Sequence, residues 1–137
     1  MTSKRQFQKL ADMHAADAMM LFRAQRHVNA VHLAGIGVEC ALKALVCEHF
    51  YYEVLPDPKI VQRAHSHALA DLVGLAGIKP HLDRRAEEDA EFDARWSIMR
   101  TWSVAVRYET VSEAEAVELL DAAIGEEGLL QWIKTFW

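Results

Sequence analysis

Residues His32–Phe50 read HLAGIGVECALKALVCEHF, an apolar run interrupted by Gly35, Gly37, Glu39, Cys40 and Cys47. Glycine costs a helix interior about 1 kcal/mol relative to alanine, so Gly35 and Gly37 need a reason in packing. Close approach of a neighbouring helix supplies one. Val31, Ala34, Val38, Leu42, Leu45 and Val46 form a wide apolar face around them, which suits a helix covered on several sides. The run therefore predicts the central helix of an all-α fold, from about Val28 to Tyr52. Glu39 sits among small residues on that helix, and a buried carboxylate needs a cation or several donors. Lys43 follows four residues later, in the favourable order for an exposed pair. Arg107, in AVRYE, is the partner expected for a structural ion pair with Glu39, because a guanidinium fork matches a carboxylate.

The flanking sequence continues the helical pattern. Ser3 and Gln6 suit a capping box, and Phe7, Leu10, Ala11, His14, Ala18, Leu21, Phe22 and Gln25 recur at three- and four-residue steps over about Lys4–Gln25. The prolines of LPDPKIVQ end the central helix in a loop. A short helix is expected from His67 to about Leu75, stopped at Gly77. Pro80 separates it from a helix over about Leu82–Thr101, whose acidic start complements the helix dipole. SVAVRYET reads as a short irregular or extended link. Ser112 and Glu115 then cap a helix over about Glu113–Ile124, which breaks at Gly125 or Gly128 and resumes through LLQWIKTFW. These elements predict one domain, residues 1–137, built as a four- to five-helix antiparallel up-and-down bundle.

Bulk properties narrow the function. The net charge of −5 argues against binding nucleic acid through bulk positive charge, while leaving room for a local basic patch. Cys40 and Cys47 lie seven residues apart, about 10 Å along a helix, too far to bridge. No signal-peptide pattern is seen and no apolar run reaches bilayer-spanning length, so a soluble cytoplasmic protein is expected, with no membrane partner. His65 and His67 lack a second pair of ligands at zinc spacing, so neither a metal nor a cofactor is expected. Cys40 and Ser66 lack the setting of a nucleophile. RWSIMRTWSVAVRYE gathers Arg95, Arg100 and Arg107 with Trp96, Trp102 and Tyr108. Such a segment can stack bases and hold phosphates, or pack an interface.

Taken in order, AVHLAGIGVECALKALV, HSHALADLVGLAG and WSVAVRYE resemble the HEPN family of small helical-bundle proteins, over about Val31–Tyr108. The resemblance implies a four- to five-helix antiparallel bundle, frequently dimeric, with RNA- or nucleotide-centred biology. It further implies a place in a bacterial defence or toxin–antitoxin module, beside an antitoxin or a nucleotidyltransferase partner. Family ribonucleases carry an arginine followed, four to six residues on, by a histidine late in the bundle. Histidine moves the 2′-hydroxyl proton and arginine neutralises the developing phosphorane charge. This chain has no histidine after His81. Its one formal match, Arg26 and His32 in RHVNAVH, opens the second helix instead.

The leading expectation is thus a HEPN-like homodimer that acts by binding RNA, a nucleotide or a partner protein without the standard ribonuclease motif. Its binding residues are His67, Arg100, Trp102, Arg107 and Tyr108. The alternative is an active metal-independent endoribonuclease with a displaced pair, either Arg26 with His32 or His67 with Arg107.

Overall fold

The first helix starts where Ser3 and Gln6 exchange hydrogen bonds: the Gln6 amide donates to Ser3 Oγ at 3.2 Å and the Ser3 amide to Gln6 Oε1 at 2.7 Å. This capping box opens α1 (Lys4–Arg23). A tight turn, with Gln25 at φ 61°, reverses the chain into α2 (His27–Val46). The computed structural model describes residues 2–50 and 53–137, and among them the fold is all-helical. After α2 come α3 (Pro58–Ala64), α4 (Leu69–Ala76), α5 (Lys79–Glu88), α6 (Ala90–Met99), α7 (Glu113–Ile124) and α8 (Leu129–Lys134). Two 3₁₀ turns, Cys47–His49 and Val104–Tyr108, complete the path.

Helix α2 is the axis of the molecule. It packs along α1 and also touches α4, α7, α8 and both 3₁₀ turns. Thirteen of its residues are buried, including Gly35, Gly37 and Glu39. Both glycines admit neighbours. A Cβ on Gly35 would overlap the indole of Trp102, and one on Gly37 would lie 3.3 Å from the Ala11 carbonyl oxygen of α1. The Trp102 Nε1–H donates to the Val31 carbonyl at 3.1 Å, which fixes the indole in the Gly35 notch.

Several boundaries differ from those expected. Helix α2 gives way to a 3₁₀ turn after Val46, and Tyr52, its expected end, lies outside the described residues. LPDPKIVQ contains α3 rather than only loop: Asp57 Oδ1 accepts from the Lys59 amide at 2.8 Å, with Pro58 in the first turn. Proline is well suited there, since its missing N–H would have had no intrahelical partner. For the same reason Pro80 lies inside the first turn of α5 instead of ahead of it. The helix expected over Leu82–Thr101 is two helices. Asp89 leaves helical geometry (φ −137°, ψ 103°), and its carboxylate accepts from the Glu91 and Phe92 amides, ending α5 and capping α6. These divisions yield eight α-helical segments among the described residues, more than the four or five expected. The Gly77 stop (φ 77°), the Ser112 cap and the resumption after Gly128 fall where the sequence placed them.

His27–His49 also departs from expectation. It is long and apolar enough to cross a membrane, with a mean hydropathy of 1.6 over an 18-residue window, yet 72% of that window is buried within the fold. Its apolar surface is consumed by the other helices, as in the central helix of a soluble protein.

Candidate functional site

Glu39 is 5% exposed and stands at the middle of α2. Its carboxylate accepts from Lys43 Nζ, one turn on, at 2.9 Å, and from His67 Nδ1–H at 2.9 and 3.0 Å to its two oxygens. The expected Glu39–Arg107 pair does not form. Lys43 and His67 already supply the donors a buried carboxylate needs, and Arg107 instead turns outward with its guanidinium 5.0 Å from the Tyr108 ring centre.

His67 lies just before α4, in the connection from α3. Ser66 Oγ accepts from the Ala68 amide beside it. The His67 ring does not bond the backbone there. It bonds a side chain 28 residues away. Because a carboxylate only accepts, Nδ1 carries the proton. The His67 side chain is 57% exposed, so its Nε2 edge faces solvent. A carboxylate-oriented imidazole with its other nitrogen open can accept, donate or relay a proton.

His32 lies two turns before Glu39 on the same side of α2. Its ring stacks on Trp102, with centroids 6.3 Å apart and planes at 24°. Burial holds its pKa below the ordinary 6.5, and the positive charges of Arg107 and His14 lower it further, while Glu39 pulls the other way. Among the described residues the buried Nδ1 of His14 on α1, of His27 and of His32 has no protein partner.

The remaining candidates are dispersed. Arg26 is exposed at the position preceding α2, six residues from His32. Six residues of helix rise about 9 Å, and no hydrogen bond joins Arg26 to His32 among the described residues. Arg100 is exposed at the C-terminal end of α6. Trp102 is 6% exposed and serves mainly as core, whereas Tyr108 is 79% exposed. Cys40 is buried and its thiol is pushed up to about 11, by burial first and Glu39 second, which removes it as a nucleophile. Among the described residues no group of three His, Cys, Asp or Glu side chains is placed to hold a metal.

What sequence reasoning missed is the Glu39–His67 contact. Its only signal was the histidine pair placed directly before the apolar HALADL helix, and no spacing rule links it to α2. No family model matches the chain, and no curated protein or solved structure does either.

Proposed function

We propose that the protein binds a phosphate-bearing ligand, RNA or a nucleotide, on the flank of α2 where Lys43 and His67 engage Glu39, with Arg107 of the 3₁₀ turn packed against α2 as a further cation. The observation that carries this reading is His67 itself, held through Nδ1 by a buried carboxylate while its other edge meets solvent. Arg107 and the exposed Tyr108 beside it offer a phosphate contact and a stacking face. The resemblance to HEPN proteins supports the same choice of ligand, and with it a four- to five-helix core, a homodimer, and a cytoplasmic role in a defence or toxin–antitoxin module. Met13 and Met20, exposed on α1, support a surface covered by a second copy or an operon partner. Titration of fluorescent single-stranded RNA and of ATP tests the reading. His67→Ala and Arg107→Ala weaken binding with the fold intact, whereas unchanged binding in both variants rejects it.

A second reading is metal-independent RNA cleavage by the same residues. An imidazole oriented by a carboxylate is suited to general-base work, and a nearby guanidinium to stabilising phosphorane charge. What supports the His67–Arg107 form of this reading is the orientation of His67 by the Glu39 carboxylate. It predicts RNA cleavage in EDTA that is lost in His67→Ala and retained in Arg26→Ala. Intact RNA at high protein concentration leaves the binding reading alone.

A further inference from the structure

A cleft of about 200 Å³ opens on the other side of the Val104–Tyr108 turn, between the end of α6 and the start of α7. Val31, Ile98, Trp102, Val106 and Leu119 are its apolar lining, and Glu109 and Glu115, both exposed, are its acidic lining. No lysine, arginine or histidine lines it. Its other polar groups are already engaged: Thr101 Oγ1 donates to the Ile98 carbonyl, Ser103 Oγ accepts from the Ala105 amide, and Trp102 Nε1 donates to Val31. Glu115 accepts from Ser112 Oγ and keeps one oxygen open, while Glu109 has no side-chain partner among the described residues. In a 3₁₀ turn residues three apart share a face. Ser103, Val106 and Glu109 therefore line the cleft, and Arg107 belongs to a different face of the turn.

We infer that this cleft binds a small organic monocation, an alkylammonium whose chain lies on the Val31–Ile98–Leu119 lining and whose charged head meets Glu109 and Glu115. The cavity is smaller than the ~300–1,000 Å³ typical of drug-sized sites, so it suits a short chain. An apolar lining with two exposed acidic groups favours a single charge at one end. A diamine would lay its second ammonium on hydrocarbon, at a desolvation cost. A carboxylate-ended chain would meet repulsion. The inference does not rest on the phosphate site, because the two share no residue.

Titration of hexylammonium, 1-hexanol, hexanoate and 1,6-diaminohexane, followed by methyl NMR shifts, tests it. Hexylammonium moves the Ile98, Val106 and Leu119 methyls and binds about fivefold tighter than hexanol, a margin fitting a solvent-edged ion pair. Hexanoate and the diamine bind more weakly than hexylammonium. Glu109→Gln with Glu115→Gln removes the preference over hexanol, and glutamine at 115 preserves the helix cap. An unchanged melting temperature shows the double variant folded. Equal binding of hexylammonium and hexanol, shifts outside the cleft, or a preference that survives the double variant overturns the proposal.

Discussion

His67 Nδ1 donates to the carboxylate of Glu39 at 2.9 Å, joining the start of α4 to the middle of α2 across 28 residues of sequence. Lys43 completes the set at 2.9 Å, with a side chain only 13% exposed. Removing the carboxylate leaves a largely buried ammonium and a half-exposed imidazole without their acceptor. Glu39→Ala is expected to destabilise the fold by about 1–3 kcal/mol in urea unfolding, the cost of orphaned polar groups that still reach some water. Arg107→Ala is expected to stay within about 0.5 kcal/mol of the parent, as exposed sites do. A large loss in Arg107→Ala would instead support an Arg107 pair with Glu39.

Gly35 gives a second prediction. The Trp102 indole fills the space a Cβ would need, and its Nε1–H is fixed to the Val31 carbonyl, so it cannot slide freely. Gly35→Ala is expected to cost about 1–3 kcal/mol through overpacking, despite alanine's better helix propensity. Gly35→Ala combined with Trp102→Leu should cost less than the sum of the two single changes. Additivity in chemical denaturation would contradict the notch.

His32 makes stability depend on acid. Burial and the neighbouring Arg107 and His14 charges lower its folded pKa, so the fold favours the neutral ring. Its contribution is fully present above the unfolded value of about 6.5 and is lost as pH falls from there through the lowered folded value. The melting temperature is expected to drop between pH 7.5 and 5.5, and His32→Gln should flatten part of that drop. The same slope in the variant would place the acid sensitivity elsewhere.

The two thiols should differ from free cysteine in reactivity. Burial pushes Cys40 to about 11, and raises Cys47 as well against the opposing charge of Lys4. Thiolate is the reactive species, so both are expected to alkylate slowly with iodoacetamide at pH 8. Mass spectrometry should find Cys40 unmodified in native protein and both residues modified in urea. Rapid native labelling of Cys40 would show that α2 is open to reagent there.

Local signals were legible wherever the chemistry is local. Ser3 with Gln6, Ser112 with Glu115, and Gly77 each act within four residues, and each falls where expected. The Asp89 break was not legible, because an aspartate in a run of good helix formers either stays helical or caps, and packing decides which. The glycines of α2 announced close approach. They did not say that Trp102 would fill one gap and α1 the other.

By itself the sequence determined an all-helical chain with a buried, small-residue helix at its centre and a carboxylate within it that required donors. Periodicity, caps and the cost of an unpaired charge suffice for that. The four-residue spacing already offered Lys43; only the tertiary structure decided the second donor, choosing His67 over Arg107. That choice depends on which side chains the packing of α4 and the 3₁₀ turn brings within 3 Å of α2, and no spacing along the chain encodes it.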